Sequence, residues 1–145
     1  MIKLSQVRDA LYDVSMETSC YFNIKTNEIL WHFDFNEEES TYTEEDEFND
    51  EIISMFNFYT KNDYDIMQDF ISNISNDSLR NELFNATREK GAFHRFREIT
   101  DYNNITDDWY KFQDNEYKKI AEEWCIANFI ASFSVFTFCA SSNIS

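Results

Sequence analysis

The chain has no proline and only one glycine in 145 residues. Turn-rich β-sandwiches and barrels use both residues freely, so their scarcity argues against an all-β fold. Cysteine is also sparse. Cys20, Cys125 and Cys139 are odd in number and show no Cys-x-x-Cys spacing, which argues against a disulfide framework and against a zinc ribbon. Reduced thiols in a cytoplasm are the expectation. His32 and His94 are the only histidines, and neither lies at ligand spacing from cysteines or carboxylates, so no metal and no cofactor is expected. There is no P-loop and no dinucleotide fingerprint. No nucleophile, base and donor form a set, so no enzymatic activity is expected.

Positive charge is the next shortage. Twelve Lys and Arg face 28 Asp and Glu, a net charge of −16. The imbalance is local: residues 1–87 carry −14 and residues 88–145 carry −2. Such a field repels nucleic acid and anionic membranes. From Asp34 to Glu51 there are ten acidic residues and no Lys or Arg. This stretch reads as a solvated loop leading to an exposed helical face. Glu37, Glu38, Glu39, Glu44, Glu45, Asp46 and Glu47 are its candidates for docking a basic protein partner, or for mimicking nucleic acid before a basic cleft.

Charge vanishes altogether after Glu123. The apolar stretch 124–145 reaches the minimum length for a bilayer span, but Asn128, Ser132, Ser134 and Thr137 weaken that reading. At the other end, Met1-Ile2-Lys3-Leu4 leads straight into an amphipathic pattern with Arg8 and Asp9, which does not read as a secretory leader.

What is present is an aromatic, helix-forming chain. Aromatic residues make up 18% of it, 15 of them Phe, which argues for a packed core despite the charge. At this length about 68–70% of the unfolded surface is buried on folding, enough for one domain without staples. Leu4, Val7, Leu11 and Val14 repeat at helical spacing, with Ser5 near the start as a helper cap. Phe22 and Ile24, then Ile29, Trp31, Phe33 and Phe35, alternate as the strands of a hairpin. Asn27 stands between them as the residue best suited, after glycine, to a positive φ.

Ile52, Ile53, Phe56 and Tyr59 return the chain to the core. Asn62-Asp63 opens a helix with the stripe Met67, Phe70, Ile71 and Ile74. Ser75 to Ser78 form a turn and cap before a helix with Leu79, Leu83 and Phe84, which runs to Glu89. Gly91 then ends that helix in a left-handed conformation, and Phe93 and Phe96 follow with their rings inward. A loop over 101–106 leads to a turn with Trp109, Tyr110 and Phe112. Asp114 opens the last helix, with the stripe Tyr117, Ile120, Ala121 and Trp124. The fold class is therefore α+β: a small N-terminal antiparallel hairpin or sheet packed by about five or six helices.

The one concentrated basic feature is Arg88, Lys90, Arg95 and Arg97 around Gly91. Its plain reading is a set of internal clamps on carboxylates, since guanidinium groups bind them bidentately. Its functional reading is a pocket for phosphate or nucleic acid, with Gly91 allowing close approach and the next helix offering its N-terminal amides.

Tyr21-Phe22-Asn23-Ile24 with Thr26-Asn27-Glu28-Ile29, the run Tyr64 to Ile71, Lys90-Gly91-Ala92-Phe93-His94-Arg95-Phe96-Arg97, Trp109-Tyr110 and Ala121-Glu122-Glu123-Trp124 together resemble the uncharacterised bacterial protein family UPF0158. The resemblance spans roughly residues 18–130. In this chain Asn27 stands where the family usually has Gly, and His94 where it usually has Arg. The resemblance implies one domain over residues 1–131, followed by a charge-free tail over 132–145. It marks Phe93, Phe96, Trp109, Tyr110 and Trp124 as structural motif residues and brings no catalytic residue with it. The functional expectation is a cytoplasmic, acidic, regulatory module that binds another protein.

Overall fold

The computed structural model describes residues 1–130. Among them are three β-strands and six α-helices: α1 (Leu4–Asp13), β1 (Thr18–Asn23), β2 (Glu28–Phe33), β3 (Ile52–Phe56), α2 (Phe58–Lys61), α3 (Asp63–Ser72), α4 (Asp77–Ala86), α5 (Ala92–Tyr102) and α6 (Thr106–Ala127). A short 3-10 helix, Glu44–Phe48, lies between β2 and β3. The fold is α+β, with its antiparallel sheet in the N-terminal part. The chain divides into two compact units. One is Met1–Lys61 together with the chain from Tyr117 on, and the other is Asn62–Glu116.

The first unit is built on the sheet, with strand order β2-β1-β3. Successive side chains on a strand face opposite ways. Along β1 this sends Thr18, Cys20 and Phe22 into the core and leaves Ser19, Tyr21 and Asn23 half-buried on the other face. The pairing Cys20 to Trp31 and Phe22 to Ile29 puts the apolar residues of β2 on the core face. Tyr21 to Leu30, Ser19 to His32 and Tyr21 to Ser54 share the opposite face. The hairpin turn is held by Asn23, whose side-chain oxygen accepts from the Lys25 and Thr26 amides at 2.9 and 3.1 Å. Asn27 has φ 60°, the positive value expected of it.

Helix α1 buries Leu4, Val7, Ala10 and Leu11. From α6 come Tyr117, Ala121 and Cys125, all fully buried. Trp124 packs edge-on against Phe22 at 5.5 Å and beside Phe56 at 5.9 Å. Its indole N–H donates to the Ser54 carbonyl at 3.1 Å, giving that edge of β3 a partner.

The second unit is helical. Ile66, Met67, Phe70 and Ile71 of α3 are buried, as are Leu83 of α4, Phe96 of α5 and Trp109 of α6. Phe70 is the hub of an aromatic cluster, edge-on to Phe96 at 6.0 Å, to Trp109 at 5.5 Å and to Phe112 at 5.5 Å. Edge-to-face pairs of this kind add about 0.5–1.5 kcal/mol each beyond burial. The buried Thr87 is satisfied in place: its hydroxyl donates to the Leu83 carbonyl at 2.8 Å and accepts from Gln68 at 3.0 Å, while Tyr64 donates to its carbonyl at 2.9 Å.

Several local expectations are corrected. The residues Ile52 to Phe56 form a third strand, and Tyr59 beyond it is exposed. Lys3, not Ser5, is the N-cap of α1. Helix α4 stops at Ala86 with Thr87 as its C-cap, so the left-handed Gly91 (φ 78°) is the N-cap of α5 and does not end α4. Helix α6 runs unbroken from Thr106, so Asp114 lies within it and opens nothing. Phe93 is 44% exposed, whereas Phe96 is fully buried. The boundary at residue 131 and the tail after it lie outside the described residues.

The two phenylalanines therefore separate in energy. Phe96→Ala removes a ring from the aromatic cluster and is expected to lower stability by about 3–5 kcal/mol. Phe93→Ala is expected to cost about 1 kcal/mol or less, as surface substitutions do. Chemical denaturation of both variants measures the difference. Equal losses would contradict the assignment of the two faces of α5.

Candidate functional site

The sequence singles out two clusters, and the structure treats them differently. The acidic stretch after β2 turns back on the sheet it has left. Outward from β2, the Trp31 carbonyl accepts from the amides of Thr41 and Tyr42 at 2.9 and 3.0 Å. The Trp31 amide donates to the Thr41 hydroxyl at 2.7 Å, and the Phe33 amide to the Ser40 hydroxyl at 2.9 Å. Ser40 to Tyr42 thus act as a partial fourth strand on an edge that would otherwise be open. The chain then enters the 3-10 helix, where the Asp46 carboxylate accepts from the Thr43 amide at 2.9 Å.

This return encloses an open groove of about 640 Å³ on the outer face of the sheet. Its lining comes from two sources. The strands supply Tyr21 and His32, and the returning loop supplies Glu37, Ser40, Tyr42, Thr43, Glu44, Glu45 and Glu47. Tyr21 and Tyr42 stack nearly parallel, with centroids 3.6 Å apart and planes 6° from each other. The His32 ring stands edge-on to Tyr42 at 6.4 Å, and its Nδ1 lies 3.1 Å from the Asp34 carboxylate. Burial pushes the Tyr42 phenol above its ordinary pKa, and Tyr21, Glu47 and Asp46 add to the shift. The four glutamates that line the groove, with no Lys or Arg among its lining residues, make its field negative, which favours a cation. Of the seven acidic candidates, Glu37, Glu44, Glu45 and Glu47 line the groove. Glu38 and Glu39 are exposed beside it, and Asp46 is taken up by its cap.

The basic cluster is spread over different partners. Arg95 donates from Nε to the Ala86 carbonyl at 2.7 Å, satisfying the end of α4. Arg97 lies over the Tyr110 ring at 5.0 Å and donates to its hydroxyl, with the Asp101 carboxylate 3.9 Å away. Its Nε is buried with no hydrogen-bond partner. Gly91 is called for by its φ of 78°, since an added Cβ would meet only the Arg95 side chain, with Nη1 at an ordinary contact distance of 3.4 Å. Arg88 and Lys90 are exposed. His94 pairs along its own helix with Glu98 at 2.9 Å. The two arginines thus act as internal clamps, with a carbonyl and a phenol as their closest partners where carboxylates were expected.

Among the motif aromatics, Trp109 is buried, Trp124 is half-buried and Tyr110 is exposed, with Arg97 over its ring. Among the described residues no group of three His, Cys, Asp or Glu could hold a metal ion. None of the described helices is long and apolar enough to cross a membrane.

A family model described as the uncharacterised protein family UPF0158 matches residues 6–137. The chain belongs to that family. The match runs past residue 131, so the family's sequence continues into the charge-free stretch. Neither the curated proteins nor the solved structures give a match. Membership in UPF0158 covers the groove and the basic loop alike, and the chemistry of each rests on the geometry above.

Tyr21, His32, Ser40, Tyr42 and Thr43 are the groove residues that the sequence did not single out as candidates. The signal was available in β1: if Phe22 faces the core, Tyr21 faces away, and a return of the loop brings Tyr42 to it. Cys20, on the core side, is chemically quiet. Burial pushes its thiol up to about 12, and the nearby Asp13 adds to the rise, against a hydrogen bond from Phe56. An acid held protonated in the fold contributes stability that is fully present below its unfolded value, near 9, and is lost as pH rises from there toward about 12. Cys20 is expected to resist iodoacetamide at pH 8 in the native chain and to react promptly in denaturant, with peptide mass mapping as the readout. Equal rates in both states would contradict its burial.

Proposed function

We propose that the chain is a protein-interaction module, working in the cytoplasm, whose acidic groove receives a basic segment of another protein. The observation that carries this reading is the convergence of four carboxylates with a stacked tyrosine pair in one groove of about 640 Å³. Pockets of roughly 300–1,000 Å³ suit a side chain or short peptide. The surrounding charge of −14 over residues 1–87 steers a cationic partner in and repels polyanions. The buried thiols Cys20 and Cys125 suit a reducing compartment.

Phosphate or nucleic-acid binding at the basic loop draws less support, because Arg95 and Arg97 are already engaged within the fold. Mimicry of nucleic acid would use the same acidic surface, but it would need no enclosed aromatic groove.

The test compares charge at the groove with equal charge elsewhere. Glu44→Gln/Glu45→Gln/Glu47→Gln is expected to weaken binding of a labelled Lys/Arg-rich peptide by tenfold or more at low salt. Glu82→Gln/Glu89→Gln/Glu123→Gln changes net charge equally and is expected to weaken it far less. Binding should fall as salt rises, because exposed charges are screened. Equal losses in the two triple variants would show that net charge acts and the groove does not.

A further inference from the structure

The groove holds more than carboxylates, and its aromatic part distinguishes one cation from another. Tyr21 comes from β1 and Tyr42 from the returning loop, so two distant segments are brought together as a stacked pair of rings, 3.6 Å apart and 6° from parallel, in which each ring covers one face of the other and only the outer faces are left for a ligand. Both rings are half-buried and both line the cavity. Carboxylates alone attract any cation. A ring slab beside them favours a planar, weakly hydrated guanidinium, which stacks on aromatic faces while its N–H fork binds a carboxylate bidentately. An ammonium is compact and strongly hydrated, and gains less from the rings. The same chain shows the pairing elsewhere. Arg97 lies over Tyr110 at 5.0 Å and bonds to its hydroxyl, with a carboxylate nearby. In the groove the rings and the acids Glu37, Glu44, Glu45 and Glu47 are in place, and the cation is what another molecule would bring.

We propose that the groove is an arginine receptor: it selects an exposed arginine of a partner protein over a lysine by stacking its guanidinium on the Tyr21–Tyr42 pair. The proposal rests on the reading of the groove as the site for a basic partner, and adds the identity of the side chain it accepts.

The test uses the full chain and two labelled decapeptides of identical sequence, one with three Arg and the other with three Lys at the same positions, followed by fluorescence anisotropy. The arginine peptide is expected to bind about five-fold or more tightly, the range of a partly desolvated cation–π contact. Tyr42→Leu should bring the arginine peptide to the affinity of the lysine peptide, and Tyr42→Phe should restore the preference. Equal binding of both peptides to the natural chain would overturn the arginine assignment while leaving the basic-partner reading in place. So would a preference that Tyr42→Leu does not move. Binding of neither peptide would overturn both.

Discussion

The period-two alternation of β1 is the constraint on which the first unit depends. β1 is the middle strand, paired on both sides, so a shift by one residue would invert every contact it makes. Burying Cys20 and Phe22 leaves no freedom in where Tyr21 points. The same register sets Trp31 opposite Cys20, and therefore His32 on the outer face. The core and the groove are thus two sides of one decision. Phe22 and Phe56 fix that decision energetically, because a buried aromatic side chain is worth several kcal/mol and both pack on Trp124.

The outer face alone would be a flat polar surface. It becomes a groove because β2 has an open edge and the acidic chain after it carries the polar groups that an edge needs. Ser40, Thr41 and Tyr42 use hydroxyls and amides to satisfy Trp31 and Phe33. Glu37 before these anchors and Glu44, Glu45 and Glu47 after them are then brought around one groove.

The basic loop shows the opposite use of charge. Arg95 and Arg97 are spent inside the second unit, one on a helix end and one on a tyrosine. Gly91 serves the backbone, since its positive φ starts α5, while the space beside it would accept a Cβ at ordinary contact distance from Arg95. Two of the four basic residues are thus engaged within the fold, while Arg88 and Lys90 stay exposed.

Much of this was legible in the residues. The hairpin, the positive φ at Asn27, the α+β class and the buried stripes of α1 and α3 follow from spacing and turn chemistry alone. What was not legible depended on contacts far apart in sequence. Ile52 to Phe56 is too short an apolar run to announce itself as a strand, and only pairing with β1 makes it one. Asp114 resembles a helix start, but propensity yields to the continuous burial of Trp109, Tyr117 and Ala121 along one helix. The exposure of Phe93 shows that three-residue spacing alone does not place two rings on one buried face. The seven acidic residues were apparent as a cluster, four of which line the groove, but the ring pair in it needed the loop to come back.

Amide NMR of the isotope-labelled chain during titration with an arginine-rich peptide tests the central claim most directly. Shifts concentrated at Tyr21, His32, Ser40 and Tyr42 to Glu47, and saturating with peptide, are the expected result. Shifts centred on Arg88 to Arg97, or spread evenly over the acidic surface without saturation, would contradict it.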